Sequence, residues 1–171
     1  MGDWLQNVRL LTVGSLFFLA AGIFVVIYLP SLDPQGYTPT ALAHPYTEIE
    51  LRGREIFKRE GCWYCHTQQV RPPEANLGTI HLKGDIGAAS EPGDYVYQSP
   101  VFWGTERQGP DLTHVASRVD DKGFNYGGSI DWQIAHLIDP QALNPGTVMP
   151  SFRHLPIDEL RALAAYLVTL K

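Results

Sequence analysis

Gly61-Cys62-Trp63-Tyr64-Cys65-His66 holds both cysteines of the 171-residue chain, three positions apart, with a histidine directly after the second. Two thiols at that spacing can reach one edge of a porphyrin and add across its two vinyl groups as thioethers. The next residue, His66, is then carried beneath the iron as its proximal ligand. With no further cysteine, a disulfide framework is excluded, and so is a site needing three or four thiolates. A thiol–disulfide redox pair is the competing reading of Cys-x-x-Cys, but it normally opens a helix after a strand, whereas this pair should close one. The motif therefore predicts one covalent haem c, bound through Cys62 and Cys65.

Working outward, the residues ahead of the motif read as a helix. Thr47-Glu48-Ile49-Glu50 fits a capping box, and Tyr46 with Leu51 fits a hydrophobic staple. Ile49, Gly53, Ile56 and Phe57 fall on one face. Gly53 costs helix stability, which a second helix crossing closely would explain. The last helix is the candidate partner. Pro156 suits a first helical position, and Asp158 and Glu159 suit the first turn. Ile157, Leu160, Leu163, Ala164, Leu167 and Leu170 recur at helical spacing, with Tyr166 placed to lie across Gly53. A middle helix is expected from about Ile130 to Ile138, ended by Asp139-Pro140. With 16 glycines and 13 prolines, the prediction is an all-α, class I-like cytochrome c domain with long loops over 47–171.

Ahead of it, Leu10 to Leu29 carries no charge over twenty residues. As a helix it would be about 30 Å long, the thickness of the hydrocarbon core. Trp4 and Tyr28 sit near its ends, where aromatics favour the interface, and Pro30 is expected to stop it. A cleaved signal with its site at Ala41-Leu42-Ala43 is the alternative, but the apolar run is long for one and that site lies far beyond it. The expected organisation is an anchor helix over 1–30, a linker over 31–46, and the haem domain. Arg9 and Asp3 nearly cancel, so charge barely orients the anchor. Thioether attachment takes place outside the cytoplasm, which puts the domain in the periplasm and the N-terminus in the cytoplasm. Gly14, Ser15, Ala21 and Gly22 form a small-residue stripe, open to helix packing or to mere composition. The net charge of −5 argues against nucleic acid.

Met149 is the only methionine besides Met1, in a Gly/Pro-rich loop before the last helix. Its thioether is the expected sixth ligand, with a second histidine, His136 or His114, as the alternative; His44, His81 and His154 are scattered elsewhere. Six-coordinate iron leaves no place for substrate, so the haem would move electrons only. The turn Gly109-Pro110-Asp111-Leu112 offers a backbone carbonyl, that of Pro110, to the His66 ring N–H.

Larger blocks carry a resemblance. Gly53-Arg54-Glu55-Ile56-Phe57, Glu60-Gly61-Cys62 and Cys65-His66-Thr67-Gln68-Gln69-Val70-Arg71-Pro72 resemble the mono-haem subunit, CcoO or FixO, of cbb3-type cytochrome c oxidases. So do Gly93-Asp94-Tyr95-Val96-Tyr97, Phe102-Trp103-Gly104, Arg107, Gly109-Pro110-Asp111-Leu112, Arg118, Trp132, His136-Leu137 and Met149-Pro150. The resemblance implies a membrane-anchored respiratory electron carrier of the bacterial inner membrane. Its partners would be a catalytic subunit with haem b and copper, where oxygen is reduced, and a donor, either a further cytochrome c subunit or a soluble cytochrome. By matched position Cys62 and Cys65 hold the haem, and His66 and Met149 ligate its iron. Gln68 to Arg71 and Tyr95 to Trp103 are candidate contacts with the catalytic subunit, or equally pocket walls. A nitric oxide reductase cytochrome subunit and a free-standing anchored shuttle are the alternatives.

Overall fold

The computed structural model describes residues 7–71, 87–104 and 108–171. Trp4, Pro72, His81 and Arg107 lie outside them. Among the described residues the regular structure is helical, apart from one isolated bridge, Val119 to Asn125.

Helix α1 runs Val8–Ser31 and is long and apolar enough to cross a membrane, with no residue buried. Its 24 residues span about 36 Å. Asn7 caps it, its side chain accepting the Arg9 and Leu10 N–H groups. Pro30 does not stop this helix. A wider π-type stretch, Phe24–Tyr28, precedes it, and helical geometry continues through Leu29–Ser31. The wide stretch offsets the clash a proline ring makes with the preceding turn.

Helix α2, Glu48–Arg59, starts with the expected capping box, Thr47 N–H donating to Glu50 Oε2 at 2.7 Å. Its buried face differs from the expected one by one residue. Ile49 is exposed, and Arg54 is interior beside Gly53, Ile56 and Phe57. The guanidinium lies 4.3 Å from the Phe102 ring centre and donates to the carbonyls of Ser99 and Pro100. Those contacts offset the desolvation of its charge. Leu51 is exposed, and Tyr46 turns its ring toward Tyr166 at 5.7 Å.

The cysteine pair does not close α2. Gly61 takes a left-handed φ of 72°, and Cys62–Cys65 forms a separate turn, α3. A residue with a Cβ resists that conformation, so Gly61 is what lets the chain turn off the helix axis toward the haem motif.

Helices α4, Ile130–Ile138, and α5, Pro140–Leu143, follow; α5 was not foreseen, and Asp139 caps it. The last helix, α6, is Ile157–Leu167, with Pro156 just outside it. It crosses α2 at Gly53, where an added Cβ would lie 1.9 Å from Ala162 O and 2.8 Å from Tyr166 Cβ. Phe57 joins this crossing to the rest of the core, 5.2 Å from Phe102 and 5.7 Å from Tyr166. Each such ring pair adds about 1 kcal/mol beyond its buried area. Helix α4 also packs against α6, and one broad cavity is lined by the cysteine turn, α4 and the Met149 loop.

Candidate haem site

A cavity of about 780 Å³ opens there, lined by Cys62, Cys65 and His66, by Trp132 and His136, and by Met149. Its volume falls within the 300–1,000 Å³ typical of cofactor pockets. Phe57, Leu112, Val115, Leu137 and Leu163 make its floor apolar.

The histidine is oriented from behind. His66 Nδ1 donates to Pro110 O at 2.8 Å, which fixes the proton on Nδ1 and leaves Nε2 with its lone pair. Backbone bonds set that distance: Gly109 N–H donates to Cys65 O at 3.0 Å, and Leu112 N–H to Thr67 O at 2.8 Å. An added Cβ at Gly109 would lie 2.3 Å from His66 Cε1, so the turn can press on the ring only as glycine. Burial, more than any charge, holds the His66 pKa below its ordinary value and keeps the ring neutral. A neutral imidazole is what a metal ligand requires.

Cys62 and Cys65 are free thiols on the same wall. Burial pushes the Cys62 thiol up to about 12. A buried thiol of that kind is a poor nucleophile, unlike the activated thiolate that opens a thiol–disulfide exchange.

Met149 is half-buried and packs against the core, its N–H held by Thr147 Oγ1 at 3.2 Å. His136 also reaches the cavity, stacked on Trp132 at 4.9 Å with the rings 9° from parallel. His114 does not line it; its Nε2 lies 3.2 Å from Ala88 O. Two candidates for a sixth ligand therefore share the cavity wall, and the third is elsewhere.

Sequence reasoning gave Arg118 no role of its own. It is the one Lys or Arg among the described residues of the cavity wall, and its guanidinium donates to Asp111 O at 2.9 Å. Its position eight residues after Pro110 was visible, but its side of the chain was not. For Gln68 and Val70 the structure agrees with the packing alternative. Gln68 and Val70 are interior, Gln68 receiving the hydroxyls of Tyr95 on its carbonyl and Tyr166 on Oε1, each at 2.9 Å. Tyr97 and Trp103 remain half-exposed.

Paired thiols, a neutral histidine with a fixed tautomer, a thioether and an apolar cavity of this size fit a haem. The sequence matches the family described as cytochrome c oxidase, mono-heme subunit/FixO, over residues 3–170. The chain belongs to that family. No curated protein matches it. Membership makes this FixO-family chain a mono-haem subunit of a cytochrome c oxidase, which implies a catalytic-subunit partner and a membrane location for α1.

Proposed function

We propose that the chain is the electron-relay subunit of a cbb3-type oxidase, taking electrons from a donor cytochrome and passing them to a catalytic subunit that contains haem b and copper. The observation that carries this reading is the meeting of Cys62, Cys65, His66 and Met149 on one cavity. When bound, the haem supplies a one-electron iron couple. Cys62 and Cys65 would hold it by thioethers, and His66 Nε2 and Met149 Sδ would be the ligands to its iron. The Pro110 carbonyl strengthens His66 as a donor by holding its Nδ1 proton, and the thioether favours reduced iron. Arg118, on the same wall, would bring a positive charge toward a haem carboxylate. The apolar floor excludes water, which limits reorganisation when the charge changes.

In the cell, residues 1–30 anchor the subunit in the inner membrane with the N-terminus in the cytoplasm, 31–46 link, and 47–171 carry the haem in the periplasm. The test is oxygen uptake, against nitric oxide consumption, by the detergent-purified complex containing this chain. Rapid oxygen uptake with haem b and copper co-purifying supports the relay. Nitric oxide consumption with non-haem iron moves the chain to a reductase, and purification alone with neither gas consumed makes it a free shuttle. Covalent attachment is read separately, as haem that stays with the chain on a denaturing gel.

A further inference from the structure

The segment between α1 and α2 is bonded almost residue by residue. Past the end of α1, the Leu32 and Asp33 N–H groups still reach back to Leu29 O and Pro30 O at 3.1 and 3.0 Å. Asp33 then caps a 3₁₀ turn, Pro34–Gly36, accepting the Gln35 N–H at 3.0 Å. Thr38 N–H closes on Pro34 O at 2.9 Å, and Pro39 fixes the next φ.

Thr40 is where this segment grips the haem domain. Its N–H donates to Gly93 O at 3.4 Å, and its hydroxyl to Asp94 Oδ1 at 2.5 Å, across 54 positions of sequence. Gly93 is buried, and a Cβ on it would lie 2.3 Å from Thr38 O, so the two backbones touch. Asp94 is itself held, its Oδ2 accepting the Glu91 N–H at 2.8 Å. The next residue, Tyr95, donates its hydroxyl to Gln68 O, two positions beyond His66.

We propose that Thr40 and Asp94 form a clasp that holds the haem domain in one attitude to the anchor helix, making Thr40 a positioning residue for electron transfer at the membrane. The inference rests on the anchored electron-carrier reading above. A free tether of ten residues would have an end-to-end distance of roughly 16–19 Å and would let the haem turn and drift over much of its own domain's width. Electron transfer weakens steeply with distance, so a carrier serving one fixed partner gains from losing that freedom. The bonds from Leu32 to Thr40 leave almost no free length, and the clasp closes the last joint. The electron path itself does not run through Thr40, which acts only by fixing where His66 stands.

The experiment uses the full haem-loaded chain in oriented bilayers, with haem orientation read by electron paramagnetic resonance or linear dichroism. The expected result is a narrow angular distribution for wild type, loss of that order in Thr40→Val, and recovery in Thr40→Ser. Valine keeps the shape and removes only the hydroxyl, so haem content, midpoint potential and melting temperature should stay at wild-type values. Retained order in Thr40→Val overturns the clasp, as does an isotropic wild-type haem. Loss of order accompanied by loss of haem or an altered potential overturns it too, in favour of a folding role. Failure of the underlying reading looks different: the wild-type chain would not partition into the bilayer, or would carry no haem.

Discussion

His66 is held by a carbonyl behind its Nδ1 and by a glycine against its ring, and the two constraints predict separable failures. Gly109→Ala places a methyl where only 2.3 Å separates the Cβ site from His66 Cε1. The ring must move, the bond to Pro110 is lost, and overpacking of this kind costs about 1–3 kcal/mol. The expected outcome is a lower melting temperature with weakened haem incorporation, checked by thermal denaturation and by haem-to-protein ratio. In the same cavity, the contest between Met149 and His136 is decided by substitution. Met149→His should lower the midpoint potential and remove the sulfur-to-iron charge-transfer band, because a thioether favours reduced iron more than imidazole does. His136→Ala should leave that band in place; a wild-type spectrum without the band, with the potential shifted by His136→Ala and not by Met149→His, would reassign the ligand to His136. Cys62, Cys65, His66 and Met149 could be nominated from sequence because their chemistry is either contiguous or unique in the chain, and the structure sets all four on one cavity. Arg54 could not, since its burial depends on Phe102 and two carbonyls some forty-five residues away.

Between helices, sterics and charge act at the same crossing with very different weight. Gly53→Ala gains about 1 kcal/mol of helix propensity. It also sets a methyl 1.9 Å from Ala162 O, a backbone atom that cannot rotate away. Separation of α2 from α6 would uncover Phe57 and Tyr166, so sterics win, and a net loss of about 2 kcal/mol or more is expected in denaturant unfolding. At the rim of the same contact, Arg52 pairs with Asp158 at 2.5 Å, and Arg59 pairs with Glu159. These hydrogen bonds hold both carboxyls below their ordinary 3.8 and 4.5. A depressed folded-state pKa means the contribution is full above those values and is lost as pH falls through the lower folded ones. Melting temperature followed from pH 6 down to about 3 should therefore fall less steeply in Asp158→Asn/Glu159→Gln than in wild type, while at pH 7 and high salt the two should nearly coincide. The three long helices of the haem domain were legible from 3.6-residue spacing and capping residues. Helix α5 was not, because a four-residue turn buries only Pro140 and leaves no periodicity to read. The break at Gly61 was missed for a related reason, since a single left-handed residue interrupts a helix without disturbing the apolar pattern on either side.

Taken whole, the molecule divides its apolar surface between two solvents. The interior closes around Phe57, Phe102, Leu163 and Tyr166, whereas α1 buries nothing and shows Val8, Phe17, Phe18 and Val26 at 66–73 % exposure. Water would not tolerate such a surface, and hydrocarbon covers it without any protein contact. The haem domain takes no core residue from α1, so its fold should not depend on the anchor. Replacement of residues 1–32 by a cleavable export signal, so that the domain still reaches the compartment where haem is attached, keeps Asp33 as the cap of the linker turn and leaves the Thr40 clasp untouched. The expected product is a soluble protein with the haem spectrum, midpoint potential and melting temperature of the full chain. Cell fractionation should move it from the membrane to the periplasmic fraction. It should still be reduced by a donor cytochrome, yet fail to restore oxygen uptake to membranes lacking the full subunit, because nothing then holds it beside the catalytic subunit. Loss of haem on truncation would show that α1 supports the domain directly. Full oxygen uptake by the soluble form would show that docking through Tyr97, Trp103 and their neighbours suffices without an anchor.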